Sequence, residues 1–253
     1  MFPKSPARKI ISNIFAYFRN SICFGHRSLI YHSIGSNVLG DPTGLNSLSK
    51  ELFVEHIQFL KDFKIVNSCS SNLNYNELNI SLTFDDGYTD NLVYVAPILV
   101  ENEIPFTVFI TTDYIENEKN CMSKHQLTEL SKLSGVTIGS HTKSHPHLTK
   151  LNHNDLEIEL LYSKHFIEDL IGIKVCSIAY PYGDVNQRVA TEVERLGYQY
   201  GFCSHFDTNT INRNKFFINR CFIHKNDGRK ILKQKIVGDW DWYKYRKTDP
   251  YLR

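Results

Sequence analysis

Two acids and three histidines in this chain sit in short runs that could together hydrolyse an amide or ester. Thr83-Phe84-Asp85-Asp86-Gly87 carries adjacent carboxylates, Gly139-Ser140-His141 is followed four residues on by His145, and Tyr31-His32 adds a third imidazole. One carboxylate with two imidazoles suits a divalent metal such as zinc. Three protein ligands leave a position for water, whose pKa the ion lowers towards neutrality. Two neighbouring carboxylates repel unless something separates their roles; an ion on one would free the other as a base. Taken singly, Asp-Asp-Gly is a turn sequence and His-x-x-x-His a frequent surface spacing. Their combination is what carries information.

That combination depends on the elements that would place these runs together. Apolar stretches at 29–32, 80–84, 106–110, 136–139, 175–180, 200–204 and 216–223 read as strands, several rich in β-branched and aromatic residues. Helical spacing separates them: Phe53, Ile57 and Leu60; Leu92, Val95 and Leu99, with Pro97 beginning or kinking that helix; and Val185, Val189 and Val193. Ser123 with Gln126 resembles a capping box ahead of Leu127 and Leu130. Asn154 with Glu157 is expected to open the clearest helix, with Leu156, Leu160, Ile167 and Ile171 on one face and Gly172 as its stop. Strand–helix alternation of this kind predicts an α/β fold with a parallel sheet, open or closed into a barrel. The active site of such a sheet lies at the carboxyl ends of its strands. His32, Asp85, Asp86, His141, His145 and the run Ala179-Tyr180-Pro181-Tyr182-Gly183 all follow predicted strands, and so converge on one rim.

These runs resemble a known family. Ser81-Leu-Thr-Phe-Asp-Asp-Gly87, His141-Thr-Lys-Ser-His145, Ser144-His145-Pro146 and Ala179-Tyr-Pro-Tyr-Gly183 are similar to motifs of the polysaccharide deacetylases (NodB-homology, carbohydrate esterase family 4). Leu29-Ile-Tyr-His-Ser33 resembles the start of the subgroup containing bacterial poly-N-acetylglucosamine deacetylases. The resemblance implies a distorted (β/α) barrel of about seven parallel strands. It also implies that Asp85 is the general base, that Asp86, His141 and His145 are the metal ligands, most simply for Zn2+, and that a backbone N–H near Tyr182 faces the developing oxyanion. Departure of the amine requires an acid. His32 fits the subgroup; His224, after the last predicted strand, is the second candidate. Two departures bear on the base. Ala179 stands where the family usually has an arginine, with Arg220 as the expected substitute, and Asp241-Trp242 lacks the preceding aspartate, its place being Gly238.

The resemblance runs from about 29 to 223, so the expected organisation is a deacetylase domain at 28–225, an N-terminal extension at 1–27 and a basic, aromatic C-terminal extension at 226–253. A net charge of +2 and a composition of 42% hydrophobic and 22% charged residues fit an ordinary globular chain and give no reason to expect nucleic-acid binding. The basic run at 229–247 reads as a solvated helix face. Six cysteines without a CxxC pair, three of them (Cys176, Cys203, Cys221) inside predicted strands, suggest a reducing, cytoplasmic setting. Lys4, Arg8 and Lys9 precede a short apolar run at 10–18 that Asn13 interrupts and no clear small-x-small site follows. This segment reads either as a docked or frayed N-terminal helix or as an amphipathic helix able to lie on a membrane surface. The expected substrate is an N-acetylated amino sugar of a bacterial polysaccharide or its biosynthetic intermediate. Deformylase-like action on a small or lipid-linked amide, and glycan binding without turnover, are the alternatives.

Overall fold

A computed structural model of the chain describes residues 6–18 and 24–252; Lys4 and Cys23 lie outside them. The described chain begins with α1 (Pro6–Phe18), β1 (Gly25–Tyr31), β2 (Ser33–Ile34), β3 (Ser47–Leu48), α2 (Lys50–Leu60), β4 (Lys64–Ile65) and β5 (Leu78–Phe84). It continues through α3 (Ala96–Glu101), β6 (Phe106–Ile110), α4 (Lys124–Ser131), β7 (Val136–Ser140) and α5 (His153–Ile171). The last elements are β8 (Ser177–Ala179), α6 (Gln187–Arg195), β9 (Tyr200–Phe202), β10 (Arg220–Phe222) and α7 (Arg229–Val237).

The main sheet runs β10-β1-β5-β6-β7-β8-β9, and every pairing in it is parallel. Short β4 pairs with Asn79 and Ile80 of β5, below the stretch that pairs with β6. At the open edge, Phe202 bridges Ile218 and the Cys203 N–H donates to the Ile218 carbonyl at 2.8 Å, so the sheet curls into a nearly closed barrel. This is the (β/α) barrel expected from the sequence.

Period-two alternation builds it. On β5, Ile80, Leu82 and Phe84 join Phe53, Ile57 and Leu60 of α2 in the main core. Phe84 packs against Tyr31 at 5.3 Å and Phe106 at 5.8 Å between ring centroids. Each such side chain contributes roughly 1.5–3 kcal/mol by leaving water. The alternate residues Ser81 and Thr83 are buried with polar partners: Ser81 meets His26 at 2.8 Å, and the Thr83 hydroxyl donates to the Leu29 carbonyl at 2.8 Å. A small apolar cluster of Phe109, Ala179, Phe202 and Ile218 packs separately from the main core.

The local signals are partly as read and partly displaced. Ser123 and Gln126 form the reciprocal capping box, and Gly172 ends α5 with φ +70°. Pro97 sits in the first turn of α3, after a π-helical turn at Asn91–Val95. The cap of α5, however, is Asn152, whose side chain accepts from the Asp155 N–H at 2.9 Å; Asn154 lies inside the helix. β8, β9 and β10 pair over only three residues each, so Cys176 and Cys203 fall just outside strands and only Cys221 lies within one.

The C-terminal segment is joined to the body. Leu232 and Ile236 of α7 enter the main core, Lys235 is buried against Asp227, and Asp241 takes both terminal nitrogens of buried Arg27 at 2.7 and 3.0 Å. The basic run is therefore not wholly a solvated face. On α1, Ser12 is buried and accepts from Trp242 Nε1 at 2.8 Å, while Ile10, Ile11 and Ile14 are exposed. No helix among the described residues is long and apolar enough to cross a membrane.

Candidate active site

The carboxyl ends of the parallel strands bring the expected residues together. After β5 the chain turns sharply: Asp86 has φ +74° and Gly87 φ +85°, and a Cβ on Gly87 would press on Ile110 at 3.0 Å. His145 (φ +62°) and Tyr182 (φ +59°) share the left-handed conformation, which costs a non-glycine residue on the order of 1–3 kcal/mol. Such strain persists only where the surroundings over-determine it, and here it gathers on the rim.

Asp86, His141 and His145 each offer one ligand atom, and these lie within 4.8 Å of one another. His141 Nε2 is 3.7 Å and His145 Nε2 3.8 Å from the same Asp86 oxygen. Tetrahedral zinc with N and O donors needs a donor-to-donor spacing of roughly 3.4 Å, so each imidazole stands a few tenths of an ångström beyond that spacing from the Asp86 oxygen. The imidazoles are prepared for it. His141 Nδ1 is 2.7 Å from the Ala179 carbonyl, which fixes its proton there and turns the Nε2 lone pair towards Asp86. Burial, and after it the neighbouring His141, lowers the His145 pKa to about 4, so the ring is neutral.

Glu159 of α5, which sequence reasoning did not single out, holds the loop carrying these ligands. Its carboxylate accepts from the Lys143 and Ser144 backbone N–H groups at 2.9 and 2.8 Å and from the Ser144 hydroxyl at 2.5 Å. The available signal was polar: Glu159 and Ser163 lie four apart on a helix whose neighbouring positions are apolar, and Ser163 meets Ser140 at 2.8 Å.

Asp85 is almost wholly buried, and its backbone N–H donates to the Tyr31 carbonyl at 3.0 Å. Arg220 grips both its oxygens, at 2.7 and 2.9 Å, and donates further to Thr83 Oγ1 and the Cys203 carbonyl, each at 3.1 Å. Burial alone would raise the Asp85 pKa. The Arg220 charge, aided by His141, instead holds it at about 2, so the carboxylate is ionised. The substitute for the arginine absent at Ala179 thus reaches the acid it was expected to serve.

His32 is half-buried on the same rim, within electrostatic reach of Asp85 and His145. Its Nδ1 is buried and has no partner among the described residues. His224 stacks on Phe222, and its backbone N–H donates to Asp227 at 2.7 Å. Burial, then the charge of Lys235, pushes its pKa down to about 3, so it is a neutral ring. Tyr182 is exposed, its ring 4.6 Å from that of His145 and stacked on His147 at 4.3 Å. The Tyr182 turn rests on the segment that follows β9: Gly183 abuts Ser204, and Ser204 Oγ donates to the Tyr182 carbonyl at 3.2 Å.

Known proteins share this fold and parts of this sequence. Residues 73–201 match the family model described as polysaccharide deacetylase. The YxkH protein of Bacillus subtilis (strain 168) is 30% identical over 182 residues, covering 68% of this chain and 62% of that protein. A poly-beta-1,6-N-acetyl-D-glucosamine N-deacetylase of Staphylococcus aureus (strain MRSA252) is 27% identical over 179 residues, covering 65% of this chain and 59% of that protein. The chain thus spans about three-fifths of the length of either relative. Its fold is shared with the Streptococcus pyogenes deacetylase PplD, solved with acetate, at a TM-score of 0.73 and 22% identity over 84% of this chain and 98% of that one.

Proposed function

For this chain, which belongs to the polysaccharide deacetylase family, we propose metal-dependent removal of N-acetyl groups from an amino sugar of a bacterial polysaccharide or its biosynthetic intermediate. The observation that carries the reading is one juxtaposition: the Asp86, His141 and His145 ligand atoms within 4.8 Å of one another, beside a buried Asp85 held by Arg220. The similarity to a Staphylococcus aureus N-deacetylase of poly-beta-1,6-N-acetyl-D-glucosamine supports an N-acetylated glucosamine as the sugar.

A divalent ion held by Asp86, His141 and His145, zinc being the simplest fit to this donor set, would polarise the acetamide carbonyl and acidify water. Asp85 takes a proton from the attacking water as the bond to the carbonyl carbon forms. Arg220 keeps the carboxylate ionised and aimed, and its pull makes the proton easy to pass on. His32 protonates the amine as the C–N bond breaks, because an amide anion is a poor leaving group. His224, held neutral, is the weaker candidate for that step. A backbone N–H of the strained Tyr182 turn would face the oxyanion, and the Tyr182 ring the sugar. The apolar residues exposed on α1 support contact with a membrane surface.

The test is acetate release from N-acetylglucosamine oligomers by the full chain, before and after chelation and again after zinc is restored. Release that chelation leaves unchanged would exclude the mechanism, and no release from any acetylated sugar would exclude the substrate class.

A further inference from the structure

A row of rings leads away from the metal ligands along the rim. The Tyr182 ring stands 4.6 Å from that of His145 and steeply inclined to it, at 67°. It also stacks on the His147 ring, at 4.3 Å and 23°. Exposure rises beyond the ligand: the His145 side chain is 16% exposed, against 58% for Tyr182 and 46% for the His147 side chain. The row is braced. Asp184, two residues after Tyr182, places a carboxylate oxygen 3.6 Å from His147 Nδ1. The same carboxylate accepts from the Thr149 N–H at 3.0 Å and from the Thr149 hydroxyl at 2.8 and 2.9 Å. Arg188 of α6 donates to the carbonyls of Leu148, Thr149 and Leu151 at 3.3, 3.3 and 3.0 Å. The loop at 145–149 and the turn at 180–184 are thereby tied to each other, with the two rings held in their stack. The proposed mechanism uses His145 and the Tyr182 turn, and gives His147 no task.

We infer that the stacked Tyr182–His147 pair is a subsite for a second sugar, so that the substrate is a chain of linked amino sugars and not a monosaccharide. The inference rests on the deacetylase reading and narrows its substrate class. A sugar whose acetamide meets the metal ligands lies against His145 and the near part of Tyr182, and the next sugar along the chain reaches His147. Pyranose rings present a face of C–H groups that packs on aromatic rings, and ligand sites combine such apolar surface with a few placed polar groups. Here the polar group is the His147 imidazole, which can donate to or accept from a sugar hydroxyl. Rings already held in their stack spare binding the cost of ordering them. A neighbouring ring is of no use to a single sugar at the ion; it serves a substrate that continues past it.

The experiment compares N-acetylglucosamine with a short oligomer of it on the full chain, as wild type, His147→Ala and His147→Phe. Acetate release gives kcat/KM for each, and calorimetry on the chelated protein gives the affinity for each without turnover. The oligomer should be favoured over the monomer by roughly three- to tenfold in both measurements, the contribution of one further sugar face on a ring. In His147→Ala that advantage should vanish through KM, with kcat on the oligomer retained; in His147→Phe, which keeps the stack, most of it should return. No advantage in the wild type, or one that survives in His147→Ala, would overturn the subsite. Equal losses on monomer and oligomer in His147→Ala, together with a fall in zinc affinity by competitive titration, would make His147 a support of the ligand loop and would also overturn it. Acetate release from the oligomer in either event would leave the deacetylase reading standing. An oligomer preference in binding that depends on His147, without acetate release, would keep the subsite and remove that reading.

Discussion

Arg220 and Asp85, 135 residues apart in sequence, meet fork to fork inside the barrel, with Nη1–Oδ1 at 2.7 Å and Nη2–Oδ2 at 2.9 Å. The guanidinium also lies 5.4 Å from the centre of the Phe109 ring, where water cannot screen it. A buried pair of this kind is expensive to break because the surviving charge is left without a partner.

Arg220→Met should therefore destabilise the protein by about 3–5 kcal/mol at pH 7. The sign of its pH dependence follows from the depressed Asp85 pKa of about 2. In the wild type the pair stabilises the fold above the unfolded carboxylate pKa of ~3.9, and that contribution is lost as pH falls towards 2. In the variant the unpaired carboxyl is raised by burial and accepts a proton sooner. The stability gap, read from urea midpoints, should narrow between pH 7 and pH 4; a gap constant across that range would contradict the pairing as described.

The two neighbouring aspartates should separate experimentally. Asp85→Asn is expected to keep the metal and lose turnover by roughly 10²–10⁴-fold, the contribution of a general base. Asp86→Asn should lose the metal as well. Identical metal contents in the two variants would show that the roles are not divided in this way.

Glu159→Gln tests the loop support. Weakening the bonds to Lys143, Ser144 and its hydroxyl should free His145 from its strained conformation and lower zinc affinity about 10–100-fold, as removal of an outer partner commonly does. A competitive zinc titration gives the value. Unchanged affinity would mean that the ligands hold their geometry without it.

The proton donor can be assigned by leaving group. His32→Ala should be severely impaired on an N-acetyl sugar yet spared on an activated aryl acetate, whose departure needs no proton. His224→Ala should change little on either. Equal losses on both substrates would give His32 a structural role, and the selective pattern in His224→Ala would transfer the assignment.

What the sequence disclosed about this site follows the distance over which each group acts. Asp86, His141 and His145 lie within short runs at strand ends, so strand–helix alternation alone predicts their convergence. Arg220 was identified only because Ala179 left a charge missing; its approach to Asp85 depends on β10 pairing beside β1, a long-range fact. Glu159 stayed hidden because an acid on a long helix ordinarily faces solvent, and only the path of the 141–145 loop turns it inward. Asn152 and Asn154 each precede an acid by three residues and offer the same amide oxygen, so local sequence does not rank the two caps. Strand ends were misread for a similar reason: Cys176 and Cys203 are apolar enough for a strand, but the β8–β9 ladder starts at Ser177 and ends at Phe202.

The most direct test of the central claim is metal content measured by elemental analysis on wild-type protein and on His141→Ala, each with acetate release recorded on the same sample. The wild type should carry about one divalent ion per chain and release acetate, and His141→Ala should have lost both, since three protein ligands fall to two. A His141→Ala variant with full metal occupancy, or one that deacetylates while metal-free, would contradict the account.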